Sequence, residues 1–169
     1  MISDLFTVLL QGDSMKYLLL VAILFYIDYY YKRKVESEMK PGRDTRIAAG
    51  GKVLIRRVDN KGAAGGILHS RPSYVKIAST VAAALAAVRF LFLLPAKKRV
   101  LKKGAYAFFL AGALSNLYDR WVKGSVTDYI SFVSRRVKSV QRIVFNLGDV
   151  FILIGGVTLF ILNLFRRKR

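Results

Sequence analysis

Two carboxylates stand at the edges of apolar segments and share a local pattern. Asp119 closes Asn116-Leu-Tyr-Asp119, and Asp149 closes Asn146-Leu-Gly-Asp149. Residues three apart on a helix lie on one face, so each asparagine amide is expected beside the acid that follows it. Carboxylates in an apolar setting cost free energy and usually mark function. The two motifs therefore predict one site that contains two acids and two amides.

Two close carboxylates offer general acid–base chemistry. Like charges at short range cannot both ionise cheaply, so such a pair shares one proton. One carboxylate can then take a proton from water while the other donates to a peptide carbonyl, as in aspartic proteases. Asn146 also suits the cap of a helix. Both interpretations of Asn146 stay open.

The elements that position these acids are expected to be membrane helices. The chain has 169 residues, of which 54% are hydrophobic, yet it carries 29 Lys+Arg against 10 Asp+Glu. Apolar segments separated by basic loops explain both features, whereas a nucleic-acid-binding protein would gather its basic residues into one stripe. The chain contains no cysteine, which excludes a disulfide or a cysteine-based metal site. We predict a membrane protein without a nucleic-acid partner.

Four segments approach the roughly 20 apolar residues that a spanning helix needs. They cover residues 15–31, 74–94, 105–121 and 146–165. The basic loop PAKKRVLKKG and the C-terminal RRKR adjoin span ends on one face, which the positive-inside rule assigns to the cytoplasm. We predict an all-α polytopic membrane protein with four transmembrane helices and both termini inside.

The two outer segments predict a small extracytoplasmic β-sheet platform. Residues 40–60 and 124–144 contain KVLIRRV and DYISFVSRRV, which mix β-branched and aromatic residues in short runs. No internal repeat marks a second domain, so residues 1–169 are expected to form one membrane-embedded domain. Asp119 then ends the third span and Asp149 begins the fourth, which puts both acids near the outer leaflet.

Three further charged residues lie at span ends. Asp28 and Lys32 are four residues apart at the outer end of the first span, a spacing that predicts a structural ion pair. Arg120 follows Asp119 directly. Its guanidinium is expected either to extend to the lipid headgroups or to bind an anionic lipid.

Five short motifs occur in order along nearly the whole chain. They are Asp28 with Lys32, Asn60-Lys-Gly-Ala-Ala64, Gly112-Ala-Leu-Ser-Asn116-Leu-Tyr-Asp119-Arg120, Gly124-Ser-Val-Thr-Asp128-Tyr129 and Phe145-Asn146-Leu-Gly-Asp149. Each motif alone is weakly specific. In this order and on four predicted spans, the chain resembles the lipoprotein signal peptidases, also called signal peptidase II, of the bacterial cytoplasmic membrane.

The resemblance implies a function and a set of site residues. Such enzymes are aspartic endopeptidases that cut a diacylglyceryl-modified prolipoprotein just before its lipidated cysteine, without a metal or organic cofactor. It implies a multi-pass protein of the bacterial cytoplasmic (inner) membrane, with lipid-modified prolipoprotein and membrane lipids as partners. The family's two catalytic aspartates fall on Asp119 and Asp149. Positions that support the pair or contact substrate fall on Asn60, Asn116, Arg120, Asp128 and Asn146.

The sequence departs from the family pattern at four positions. Gly65 replaces an aromatic residue, Ser115 a glycine, Gly148 an alanine and Tyr29 a glutamine. None of these changes removes a catalytic group, but Gly65 and Gly148 remove bulk and leave substrate preference open. 

Two other functions stay open at this point. One is a small membrane transporter or proton relay, since intramembrane carboxylates also mark ion paths. Transporters, however, tend to place their sites near the membrane midplane and to show repeated halves. The other is a divergent lipoprotein-binding paralogue.

Overall fold

The computed structural model describes residues 12–63, 68–133 and 143–166, so Gly65 lies outside the described residues. These residues form four long helices, one short 3-10 turn at Ala49–Gly51 and one sheet. The helices are α1 (Gly12–Glu38), α2 (Pro72–Leu93), α3 (Val100–Val122) and α4 (Leu147–Arg166). The strands are β1 (Thr45–Ala48), β2 (Val53–Asn60) and β3 (Val126–Phe132). The prediction of a mostly helical protein with a small sheet is confirmed.

Two of the described helices are long and apolar enough to cross a membrane, namely α2 and Leu147–Phe165 of α4. Large apolar side chains on both are exposed, among them Leu85, Phe92, Leu153 and Phe160. Helices α1 and α3 have 27 and 23 residues. At 1.5 Å per residue they extend about 40 Å and about 35 Å. Both carry charged residues that are buried inside the bundle, so hydropathy alone does not identify them as spans, and the four-span arrangement stays a prediction.

Helix α3 packs against all three other helices. Its contact with α4 depends on glycine: a Cβ atom on Gly112 would lie 2.1 Å from the Gly148 carbonyl oxygen. A Cβ atom on Gly155 would lie 2.5 Å from the Ala105 carbonyl oxygen. Small residues let helix backbones approach closely in membrane proteins. The first turn of α4 is therefore held directly against the middle of α3.

The three strands form one antiparallel sheet in the order β1-β2-β3. The β2–β3 register shifts between Ile55 and Val58, after which Asp128 pairs with Val58. Val35 in the last turn of α1 and Met39 just after the helix pack with Tyr129 of β3 in a buried cluster. This contact fixes the sheet on the helix bundle and brings Asp128 close to the ends of α3 and α4.

Candidate active site

Three acids from three elements meet where the sheet joins the bundle. Asp119 lies in the last turn of α3, Asp128 in β3 and Asp149 in the first turn of α4. Asp119 and Asp128 are buried, and Asp149 is partly buried. Asn116 and Asn146, the asparagines of the two sequence motifs, are also buried. Asp119 and Asp149 lie in the same region, as their positions at the end of α3 and the start of α4 predict, but the contacts of the two acids differ.

Asp149 is held by both asparagines. The Asn116 side-chain Nδ2 donates to Asp149 Oδ1 at 2.8 Å, and the Asn146 backbone N–H donates to Oδ2 at 3.2 Å. In return, the Asp149 backbone N–H donates to Asn146 Oδ1 at 2.9 Å. A side-chain oxygen that accepts from the N–H three residues later is a helix-capping bond. Asn146 thus caps α4 through its side chain and also holds the Asp149 carboxylate through its backbone N–H. The role as a helix cap and the role beside the acid are both present.

Asp128 is the acid joined to Asp149 through a shared residue. Asn146 Nδ2 donates to Asp128 Oδ1 at 2.7 Å, and Asn60 Nδ2 donates to Asp128 Oδ2 at 2.9 Å. Burial, and then repulsion by the Asp149 carboxylate, raise the pKa of Asp128 to about 7. This carboxyl group therefore keeps a proton up to neutral pH, which a general acid requires.

Asp119 has a different environment. Arg33 Nη2 and Lys123 Nζ each lie 2.8 Å from Asp119 Oδ1, and Lys32 Nζ lies 3.5 Å from Oδ2. The Thr127 backbone N–H also donates to Oδ2 at 3.2 Å. The sequence pairs Asp119 with Asp149, but among the described residues no side chain bonds to both of these acids, as Asn146 does to Asp128 and Asp149. Both oxygens of Asp119 instead bind cations and the start of β3.

Arg33, Glu36 and Lys123 surround Asp119 or its cations and are not among the site residues predicted from the sequence. Glu36 accepts hydrogen bonds from Arg33, Lys123 and the Thr127 hydroxyl, so it joins α1 to α3 and β3. The spacing held a signal, because Arg33 lies three residues before Glu36 and Lys123 four residues after Asp119. The contacts that join Arg33–Glu36 to Asp119–Lys123 are between distant parts of the chain, and no spacing in the sequence indicates them.

Lys32 is fully buried and lies between α1 and α3. Its Nζ contacts Asp28 Oδ2 at 2.8 Å, Asn116 Oδ1 at 2.7 Å and Ser115 Oγ at 3.1 Å. The Ser115 hydroxyl donates to Asp28 Oδ2 at 2.6 Å. A buried ion pair is tolerated only when hydrogen bonds satisfy its remaining groups. Here one of these bonds connects Lys32, through the Asn116 amide, to Asp149.

Two departures from the family pattern meet at the same oxygen atom. Ser115 donates to Asp28 Oδ2, and a Cβ atom on Gly148 would lie 2.7 Å from that oxygen. Alanine at position 148 would therefore have to displace Asp28 or the α4 backbone. The close approach of Asp28 therefore explains Gly148, and a role in substrate preference is not needed to explain it.

A groove of about 380 Å³ opens beside Asp149 between α2, α3 and α4. Its wall contains the small residues Ala82, Ala83 and Ala113 together with Asn116 and Arg120. Arg120 Nη2 donates to the Gly62 carbonyl oxygen at 3.1 Å, which ties the end of α3 to the segment after β2. A mostly apolar groove that is lined by a carboxylate suits a peptide with small side chains.

The model of the family Signal peptidase (SPase) II matches residues 20–166 of this chain. The chain belongs to the signal peptidase II family. A lipoprotein signal peptidase of Fusobacterium nucleatum is 33% identical over 161 residues, which cover 94% of this chain and 93% of the relative. One from Brucella ovis is 34% identical over 143 residues, which cover 85% and 84%.

Solved structures share the fold of this signal peptidase II family member. Two structures, each described as a bacterial membrane enzyme, superpose with TM-scores of 0.73 and 0.70. Both are 23% identical and cover 88% of this chain, with 87% and 92% of their own lengths matched. The family match and the named relatives identify the chain as a protease of the signal peptidase II family, and its two long apolar helices agree with a membrane location.

Proposed function

We propose that this protein is an aspartic endopeptidase that removes the signal peptide from diacylglyceryl-modified prolipoproteins by cutting just before the lipidated cysteine. The observation that carries the proposal is the link of Asp128 and Asp149 through Asn146, beside a groove of about 380 Å³ that Asp149 lines. Membership of the signal peptidase II family supports the peptidase over a transporter or proton relay.

The contacts favour Asp128 rather than Asp119 as the partner of Asp149. Asp128 shares Asn146 with Asp149 and has a raised pKa, partly because Asp149 is near. Asp119 remains the partner that the sequence motifs predict, but cations surround its carboxylate. Two carboxylates that share one proton can act as acid and base in the same step.

The chemistry then needs only these two side chains and water. The ionised Asp149 takes a proton from a water molecule, whose oxygen attacks the scissile carbonyl carbon. Asp128 gives its proton to the carbonyl oxygen, and a tetrahedral diol forms. The diol collapses as the C–N bond breaks, and Asp149 returns a proton to the leaving nitrogen while Asp128 regains one from the diol. Both acids end in their starting protonation states.

Asp119 positions Asp128 in this scheme. Its Oδ2 accepts the backbone N–H of Thr127, the residue before Asp128, while Lys123 binds both Asp119 and the Thr127 hydroxyl. These contacts fix the start of β3 against α3. Asp119 thereby sets the distance of the Asp128 carboxyl from α4.

The proposed function is tested by turnover of a defined substrate. Purified protein in lipid should shorten a diacylglyceryl-modified prolipoprotein and leave the lipidated cysteine at the new N-terminus. The same prolipoprotein without its lipid serves as the control and should stay intact. Equal cleavage of both forms would contradict the assignment, and absence of cleavage would favour a lipoprotein-binding paralogue.

The pH dependence of cleavage should follow the proton on Asp128. Since the raised pKa of about 7 lets this group keep its proton to neutral pH and lose it above, kcat/KM should fall about tenfold per pH unit on the alkaline side. The Asn60 amide stabilises the charged form of Asp128, so Asn60→Ala should move this limb to higher pH. Thermal unfolding measured at each pH shows whether a lower rate comes from deprotonation of Asp128 or from unfolding of the protein. A rate that stays constant to pH 9 would contradict the role of Asp128.

We also propose four spans in the bacterial cytoplasmic membrane, with the acids near the outer leaflet and the sheet outside. The basic residues between α2 and α3 support this orientation by the positive-inside rule. Reporter fusions should place residue 100 in the cytoplasm and residue 50 outside. Residue 100 on the outer side would overturn the orientation.

A further inference from the structure

Three cationic side chains line a small pocket next to the groove. The pocket has a volume of about 180 Å³ and is lined by Lys61, Lys76 and Arg120 with Pro72, Ser73 and Gly124. Arg120 also lines the groove that contains Asp149. The two spaces therefore share one side chain as their common wall.

The two lysines of this pocket carry positive charge that no acid of the described residues neutralises by an ion pair. Within the described residues, neither Lys61 nor Lys76 forms an ion pair with an acid. Lys61 is exposed, and the Lys76 ammonium lies 4.3 Å from the centroid of the Trp121 ring. An ammonium over an aromatic face keeps its full charge. The pocket thus favours an anion.

Arg120 contributes an unused hydrogen-bond donor. Its Nη2 is bonded to the Gly62 carbonyl, and its Nη1 lies 3.5 Å from the Asn116 carbonyl. The Arg120 Nε is buried and has no hydrogen-bond partner in the part of the chain that the structure describes. Buried donors are nearly always satisfied in folded proteins. An oxygen ligand that enters beside Arg120 would supply the missing acceptor.

The pocket lies on the outer side of the groove. Along α2, the pocket residues lie between Pro72 and Lys76, whereas the groove residues begin at Val75 and continue to Ala83, further along the helix. Lys61 follows β2 and Gly124 precedes β3, so both belong to the sheet side. A substrate whose signal peptide occupies the groove would extend its mature segment toward this pocket.

We propose that the pocket of Lys61, Lys76 and Arg120 binds a carboxylate side chain of the substrate, in the first residues after the lipidated cysteine. This inference rests on the proposed peptidase function. The wall shared through Arg120 favours a ligand that is continuous with the peptide in the groove over a separate phospholipid headgroup. The pocket then makes the enzyme prefer substrates with an acidic residue at that point.

The test compares two lipidated substrates that differ only by Glu or Gln just after the lipidated cysteine. The wild-type enzyme should cleave the Glu substrate with a kcat/KM roughly tenfold higher, as expected for hydrogen bonds to a charged group. In the Lys61→Gln/Lys76→Gln enzyme the preference should fall to about twofold, with the Gln substrate unaffected. In a Lys61→Gln enzyme, which keeps the Lys76–Trp121 contact, the preference for the Glu substrate should be roughly threefold lower than in wild type. High salt should reduce the wild-type preference as well.

Lys40→Gln/Lys52→Gln is the matched control, because it removes the same charge from exposed positions outside the pocket. It should keep the full preference. Equal wild-type cleavage of both substrates would overturn the pocket assignment while the peptidase function stands. Cleavage of neither substrate would overturn the peptidase function and this inference with it.

A second experiment tests whether the pocket instead binds the phosphate of a lipid headgroup. The Gln substrate is cleaved in phosphatidylcholine vesicles with and without phosphatidylglycerol. If phosphatidylglycerol stimulates the wild type and not the Lys61→Gln/Lys76→Gln enzyme, and no Glu preference exists, the pocket holds a lipid phosphate and the substrate assignment is wrong. A Glu preference that is the same in both vesicles supports the proposal.

Discussion

Replacing Asp149 with asparagine should reduce cleavage of a lipidated prolipoprotein by at least about 10²- to 10⁴-fold. That range is the usual contribution of general acid–base catalysis, and Asp149 is expected to activate water in addition. Asparagine keeps the shape of the side chain and leaves the Asn116 and Asn146 contacts partly intact. The measurement is kcat/KM on protein that is shown to be folded by its thermal unfolding.

Asp128→Asn should have an effect of the same size, and the double variant should be scarcely worse than either single one. Residues that act as a unit are strongly non-additive, because the loss of one already removes the shared step. Asp128 is joined to Asp149 through Asn146. Independent, additive losses would mean that the two acids act in different steps.

Asp119→Asn distinguishes the two possible pairs. If Asp119 positions β3, this variant should unfold more easily, because Lys32, Arg33 and Lys123 each lose one of two charged partners. The folded fraction should keep kcat within about tenfold of wild type. If Asp119 is the reacting partner, folded Asp119→Asn should be inactive and Asp128→Asn should retain cleavage. That second result would restore the pairing predicted from the sequence motifs.

Lys32→Met should produce the largest loss of stability. It leaves the fully buried Asp28 without its cation. Breaking a buried pair in this way costs about 3–5 kcal/mol, a large part of the roughly 5–15 kcal/mol that stabilises a typical protein. The folded yield and the midpoint of thermal unfolding should both fall. An unchanged unfolding midpoint would show that the pair does not stabilise the bundle.

Lys32 also contacts the candidate active site, in addition to its ion pair with Asp28. It donates to Asn116 Oδ1, and Asn116 Nδ2 donates to Asp149. Asp28→Asn/Lys32→Met removes the unpaired charge and should recover most of the stability. It does not restore the bond to Asn116, so kcat should stay about tenfold low. Recovery of both stability and kcat would show that Lys32 has only a structural role.

Much of the fold follows from local patterns in the sequence. Apolar runs of about 20 residues predict helices, and short runs of β-branched and aromatic residues predict strands, because both patterns depend on residues close in the chain. The five short motifs that resemble the family can likewise be recognised without the tertiary structure. Asn146 lies beside Asp149, as its spacing of three residues predicts. Asn116, which the same spacing placed beside Asp119, instead donates to Asp149 on the adjacent helix.

The partner of Asp149 depends on the tertiary structure. Sequence gives the depth of Asp119 and Asp149 along antiparallel helices, but depth does not give the direction in which a side chain points around the helix axis. Asp119 points toward Lys32 and Arg33 of α1, while β3 brings Asp128 to Asn146. Which charges meet is decided by helix rotation and strand register, and these are set by packing between elements far apart in the chain, such as the glycine contact of α3 with α4.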